Sequence, residues 1–294
     1  MSGASTVPRD FVLIIGAMKS GTTSLFEILA QHPQVASCRD KEPDFFSDAT
    51  VFARGWDWYR QLWKWSGEHR VAMEASVSYT KAPLWPRVPE RIASMPGARF
   101  KFIYMLRHPL ERISSQVRHG IFEGWGHGLD EGLAKDLIPF SSYAMQADRY
   151  MEIFPRDSLL MVTLEEFESD PGDVLSRICG FIGIDEDFEF SEVGRRYNKG
   201  DLYTMAPSVA RLMRAPTLQA VARRVLTRSA RHRIRDAIMG LTGKSAPEAA
   251  PPRGRHELNE QERAELLAAL EPDLRRLRNH YGVDLERHWG LKLD

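Results

Sequence analysis

The chain has 294 residues, a length that one large α/β domain or two smaller ones fill, and its 43% apolar residues with 10% aromatics supply a core of ordinary size. Forty Lys and Arg balance forty Asp and Glu, so no global basic field favours nucleic acid as a partner. The apolar run Phe11–Ile15 is far too short for the roughly 20 residues that a membrane helix needs.

Taken in chain order, the N-terminal residues before Phe11 are short and polar. No charged segment followed by an apolar one precedes the first strand, and that reads as a cytoplasmic protein. Cys38 and Cys179 lack the paired spacing of a metal site and read as free thiols in a reducing compartment. Phe11-Val-Leu-Ile-Ile15 is a continuous, β-branched run ending at Gly16, the pattern of a buried parallel strand. After a glycine-containing turn, Leu25, Ile28 and Leu29 fall at helical spacing within Thr22–Gln31, and His32-Pro33 ends that helix.

Further strands are predicted at Val71–Glu74, Lys101–Leu106 and Ser158–Thr163, with helices at Leu110–Gly120, Tyr143–Phe154 and Asp173–Ile182. The alternation predicts the α/β class: a central parallel sheet flanked by helices. From Met205 to Arg255 basic residues dominate, among them Arg211, Arg214, Arg223, Arg224 and Arg228. Leu212, Leu218, Val221, Val225 and Leu226 interleave with them as in a basic amphipathic helix. Ser245–Pro252 is a Pro/Ala linker. Leu258–Tyr281 then reads as a helix with Asn259 as N-cap and Gly282 as its stop.

Two segments carry anion chemistry. Gly16-Ala-Met-Lys-Ser-Gly-Thr-Thr23 places glycines five apart between a strand and a helix. Such a loop lets backbone N–H groups approach phosphate oxygens, and the following helix adds its N-terminal partial positive charge. It departs from a Walker A loop, because Thr22 follows the second glycine and the lysine lies inside the loop as Lys19. A small-molecule kinase or triphosphatase loop, or a glycine turn without a ligand, stays open on these residues alone. The second segment is Tyr104-Met-Leu-Arg107-His-Pro109, with Ser115 eight residues beyond Arg107. An arginine fork with a hydroxyl at that spacing suits a terminal phosphate monoester.

Together these segments resemble the sulfotransferases that use 3′-phosphoadenosine 5′-phosphosulfate (PAPS), and most of all the heparan sulfate branch. Gly16–Thr23 is similar to their 5′-phosphosulfate loop, and Leu106-Arg-His-Pro-Leu-Glu-Arg-Ile-Ser-Ser115 to their 3′-phosphate motif. Lys41-Glu-Pro-Asp-Phe-Phe46, Glu74-Ala-Ser-Val-Ser-Tyr79, Tyr197-Asn-Lys-Gly-Asp-Leu-Tyr203 and Arg253-Gly-Arg-His256 resemble four further segments of that branch, in the same order. The resemblance implies a P-loop-type sheet as one domain over residues 1–294, with residues 205–252 a basic helical insertion and linker within it.

It also implies roles. Lys19, Ser20, Gly21, Thr22, Thr23 and Ser24 would hold the 5′-phosphosulfate, with Lys19 stabilising the leaving phosphate. Arg107 and Ser115 would hold the 3′-phosphate, and Tyr203, Arg253 and Arg255 would enclose the nucleotide. Glu42 would be the general base, with Lys41 beside it, and His108 is a rival base. No metal is implied. The acceptor would be a hydroxyl or amine of a glycan, glycolipid or other small molecule.

Some positions depart from the branch. Ala75 stands where its substrate-side lysine falls, Val77 where its proline falls, and Asp44 where histidine is frequent. These changes weaken the expectation of a highly anionic acceptor. Residues 205–243 separate Tyr203 from Arg253, which are close together in the branch; they read as a helical cap near the acceptor cleft or as a solvated helical hairpin, and their basic face suits peripheral contact with an anionic membrane or a lipid-linked glycan. A non-catalytic binding module is the remaining alternative, which the joint presence of Lys19, Glu42, Arg107 and Ser115 argues against.

Overall fold

A computed structural model describes residues 8–123, 131–191, 193 and 258–293, without side chains for 119–135. Tyr203, Arg253, Arg255 and the expected insertion at 205–252 lie outside the described residues.

Five strands form one sheet: β1 (Asp10–Gly16), β2 (Val35–Ser37), β3 (Val71–Ala75), β4 (Arg99–Leu106) and β5 (Leu159–Thr163). Their order is β2-β3-β1-β4-β5, and every pairing is parallel. The helices, in chain order, are α1 (Thr22–Leu29), α2 (Ala49–Phe52), α3 (Trp56–Arg60), α4 (Val88–Ala93), α5 (Pro109–Glu123), α6 (Glu131–Ser141), α7 (Tyr143–Met151), α8 (Leu164–Ser169), α9 (Pro171–Ile182), α10 (Glu260–Tyr281) and α11 (Leu285–Trp289).

Alternation along each strand builds a core on both faces of the sheet. Val12, Ile14, Met73, Ile103, Met105 and Val162 pack with Leu25, Ile28 and Leu29 of α1 and with Val174, Leu175 and Ile178 of α9. The opposite face is aromatic. Phe11, Phe102 and Tyr104 point there, among Phe45, Phe46, Tyr59, Tyr143 and Tyr150. Phe45 stacks on Tyr59 at 4.4 Å between ring centroids, with the ring planes 25° apart. Leu270, Leu274 and Leu277 of α10 complete this face.

The predicted strands and long helices fall where expected, with ends shifted by a few residues. The α1 helix stops at Leu29 rather than Gln31, and α7 at Met151 rather than Phe154. In α10 the Asn259 side chain accepts the Glu262 N–H, and the Glu262 side chain accepts the Asn259 N–H in return. Gly282 ends that helix at φ 72°, a left-handed conformation that glycine adopts at least cost. Both cysteines are buried and free. Among the described residues no helix is long and apolar enough to cross a membrane.

Candidate active site

Parallel strands bring their C-terminal ends to one edge of the sheet, where open α/β folds place their ligands. The two predicted anion segments and the Lys41–Glu42 pair all start from that edge. The loop Gly16–Gly21 leaves β1 and enters α1. Its glycines meet different demands. A Cβ on Gly16 would lie 2.0 Å from Thr80 Oγ1, so a side chain has no room there. Gly21 takes φ 83° as the N-cap of α1 and offers no side chain to the first turn. The leading N–H groups of that turn therefore face outward without a side-chain cap, as an anion-binding helix start requires.

Lys19 also adopts a left-handed backbone, at φ 70°. That conformation is costly for a residue with a Cβ, and such strain gathers at functional loops. Next to it, the Ser20 hydroxyl is buried and makes no hydrogen bond within the protein. An unpartnered buried hydroxyl costs about 1–3 kcal/mol, and an anion accepting its proton would remove that cost. The donor set fits a phosphate- or sulfate-bearing ligand.

Arg107 follows the last residue of β4 and reaches back to this loop. Its Nη1 donates to the Lys19 carbonyl at 3.3 Å, and its Nη2 lies 4.0 Å from Glu111. Tyr143 donates to the Arg107 carbonyl at 2.7 Å, which fixes the backbone as it turns into α5. Ser115 lies in the second turn of α5, half-buried. The structure thus joins Arg107 to the Lys19 loop directly, and Ser115 only through the helix that follows Arg107.

His108 is occupied by structural bonds. Its Nδ1 accepts the Leu110 N–H at 3.2 Å, and its own N–H donates to Glu165 at 2.9 Å. Burial pushes its pKa down, so the ring is neutral at physiological pH. Glu165 also accepts the indole N–H of Trp289 at 2.9 Å, tying α11 to the end of β4.

The Lys41–Glu42 pair sits at the same edge, two strands over. Lys41 Nζ lies 3.1 Å from Glu42 Oε1, each side chain about one-fifth exposed. The Glu42 N–H donates to the Ala75 carbonyl at the end of β3, at 2.8 Å. The segment after β3 then braces β1: Ser76 N–H bonds to Ile14 O at 3.1 Å and Thr80 Oγ1 to Ile15 O at 3.0 Å. One short segment thus supports both the Gly16 loop and the Glu42 turn.

Sequence reasoning gave Glu74 no role of its own. Yet Glu74 is fully buried and receives the hydroxyls of Tyr59, Tyr79 and Ser76 at 2.9, 2.7 and 2.8 Å. Burial pushes its pKa up to about 7, against the opposing effect of those three donors. The available signal was an acid inside the apolar run Val71-Ala-Met-Glu-Ala75, since a buried carboxylate must find partners.

Residues 9–197 match the family described as the sulfotransferase domain. The chain belongs to the sulfotransferase family. Heparan sulfate glucosamine 3-O-sulfotransferase 6 of Homo sapiens is 30% identical over 183 residues, covering 58% of this chain and 52% of that protein. Heparan sulfate glucosamine 3-O-sulfotransferase 3B1 of Mus musculus is 28% identical over 209 residues, covering 65% of this chain and 52% of the relative. The chain spans about half the length of the curated relatives it matches. The resemblance to the heparan sulfate branch is therefore borne out. The crystal structure of a sulfotransferase from Alicyclobacillus acidocaldarius superposes with a TM-score of 0.62 at 24% identity, covering 95% of this chain and 98% of that one. That likeness bears out the expected fold.

Proposed function

We propose that this sulfotransferase moves a sulfuryl group from PAPS to a hydroxyl or amine of a glycan, glycolipid or other small acceptor. One observation carries the reading: the Arg107 guanidinium meets the Lys19 carbonyl beside the buried, unpartnered Ser20 hydroxyl at an uncapped helix start. Two anion-binding elements side by side suit a nucleotide with phosphates at both ends. Its family membership and the heparan sulfate relatives support sulfuryl transfer and a glycan-like acceptor.

The donor supplies an activated sulfuryl group on a phosphate leaving group. For this chain, Ser20 Oγ and the N–H groups of Gly21–Ser24 would bind the 5′ end, with the Lys19 ammonium steadying charge on the leaving oxygen. Arg107 and Ser115 would bind the 3′-phosphate. Tyr203, Arg253 and Arg255, outside the described residues, would close over the nucleotide. Glu42 would take the acceptor's proton and Lys41 would hold its carboxylate in place. We read the chain as one cytoplasmic domain, with residues 205–243 available for peripheral membrane contact.

Thermal stabilisation tests the donor. Adenosine 3′,5′-bisphosphate is expected to raise the melting temperature and ATP with Mg²⁺ is not; the reverse result would replace this reading with a kinase. Labelled PAPS incubated with fractionated glycans and lipids then identifies the acceptor.

A further inference from the structure

The turn that carries Glu42 is backbone-strained. Glu42 and Asp44, two residues apart, take φ values of 58° and 54°. Neither is glycine, and such conformations persist only where surrounding structure imposes them. The restraint runs back to Glu74. Ser76 Oγ donates to Glu74 Oε2 at 2.8 Å and accepts the Asp44 N–H at 3.3 Å. Tyr79 donates to Glu74 Oε1 at 2.7 Å and accepts the Phe46 N–H at 3.3 Å. Each hydroxyl spends its proton on the carboxylate and keeps its lone pairs for the turn's backbone.

We propose that Glu74 is a positioning residue for the general base: through Ser76 and Tyr79, its carboxylate holds the Glu42–Phe46 turn in the conformation that presents Glu42. The proposal rests on the reading of Glu42 as that base. It requires the ionised form, because a carboxylate only accepts, whereas a carboxylic acid must itself donate from one oxygen and reverse a hydroxyl. The groups facing Glu74 are Tyr59 from α3, Tyr79 from the turn after β3, Asp44 from the Glu42 turn, Cys38 after β2 and Tyr150 from α7. With its pKa raised to about 7 by burial, the ionised, turn-holding form dominates only above neutrality.

Amide hydrogen exchange on the full chain saturated with adenosine 3′,5′-bisphosphate tests this without an acceptor. In Glu74→Gln, exchange at Asp44 and Phe46 is expected to rise about tenfold, the effect of losing one hydrogen bond. Exchange over Ser20–Leu25 and nucleotide affinity should stay unchanged. In the wild type, protection of those two amides, corrected for intrinsic rate, should fall as pH drops through about 7, and Glu74→Gln should abolish that dependence. Wild-type protection that ignores pH, or protection in Glu74→Gln equal to wild type, overturns the proposal. Should Glu74→Gln not fold, Tyr79→Phe decides, since faster exchange at Phe46 but not at Asp44 is then required. A Glu42→Gln variant that transfers sulfate at the wild-type rate would instead remove Glu42 as base and leave the exchange results standing.

Discussion

Lys19 and Ser20 place a left-handed backbone and a buried, unpartnered hydroxyl side by side in one loop. Lys19 holds a left-handed backbone, which costs an L-residue roughly 1–2 kcal/mol relative to the right-handed one. Replacing it with glycine relieves that strain and removes the ammonium. Lys19→Gly is therefore expected to match or exceed wild-type stability by up to about 1 kcal/mol in denaturant titration. Its rate of transfer from PAPS should fall by roughly 10²–10³-fold, the cost of deleting one charge-stabilising group. Ser20→Ala follows the same logic. Removing a buried hydroxyl that has no partner should leave the free protein as stable or slightly more so, while affinity for adenosine 3′,5′-bisphosphate falls by about tenfold. Calorimetric titration and a melting curve on one sample separate the two effects, and a variant that loses both stability and affinity would mark Ser20 as structural.

At the scale of elements, α10 is held by more than its leucines. Asp273 on α10 accepts the N–H groups of Ala144 and Met145, at 3.0 and 2.8 Å, and so caps α7 from another helix. Burial nonetheless pushes its pKa up to about 6 from 3.8, since desolvation outweighs the two N–H donors. The folded chain then binds a proton that the unfolded chain does not between about pH 4 and 6, and Asp273 adds stability as pH falls through that window. Asp273→Ala strands both N–H groups and should cost about 1–2 kcal/mol at pH 7. The deficit against wild type should be larger at pH 4.5 than at pH 7, as read by urea unfolding at each pH, and a deficit that shrinks on acidification would refute the assignment. The sequence displayed the caps of α10 itself, because Asn259 and Gly282 each act on the helix end beside them. It could not display a cap supplied across 129 residues. A different limit hid β2, three residues long, and α2, four residues long, which are too short for any period to register.

Across the whole molecule, the division between legible and illegible follows sequence distance. The two candidate anion segments are local: Gly16–Ser24 wraps one turn and Arg107–Ser115 one strand-to-helix junction, so each can be picked out from residue types and spacing. The network behind Glu42 draws on positions 44, 59, 74, 76 and 79, which only the fold assembles. The C-terminal helices extend this point. The sulfotransferase match ends at residue 197, yet Leu270, Leu274, Leu277 and Leu285 are at most 1% exposed in the aromatic face of the core, and Trp289 lies beside them. Burying such side chains contributes about 1.5–3 kcal/mol each. Five of them amount to roughly 8–15 kcal/mol, as much as the whole stability of a typical domain, about 5–15 kcal/mol. A chain cut after residue 197 should therefore not fold, although it keeps the entire sheet and every donor-loop residue from Lys19 to Ser115. It is expected to express as aggregate or, if soluble, to lack a cooperative melting transition and bind no adenosine 3′,5′-bisphosphate. The point variant Leu274→Ala in the full chain should fold and lose about 2–5 kcal/mol, the range for one buried leucine. Cooperative unfolding of the truncated chain would show that the sheet and α1–α9 suffice, and that α10 and α11 only cover a core already closed.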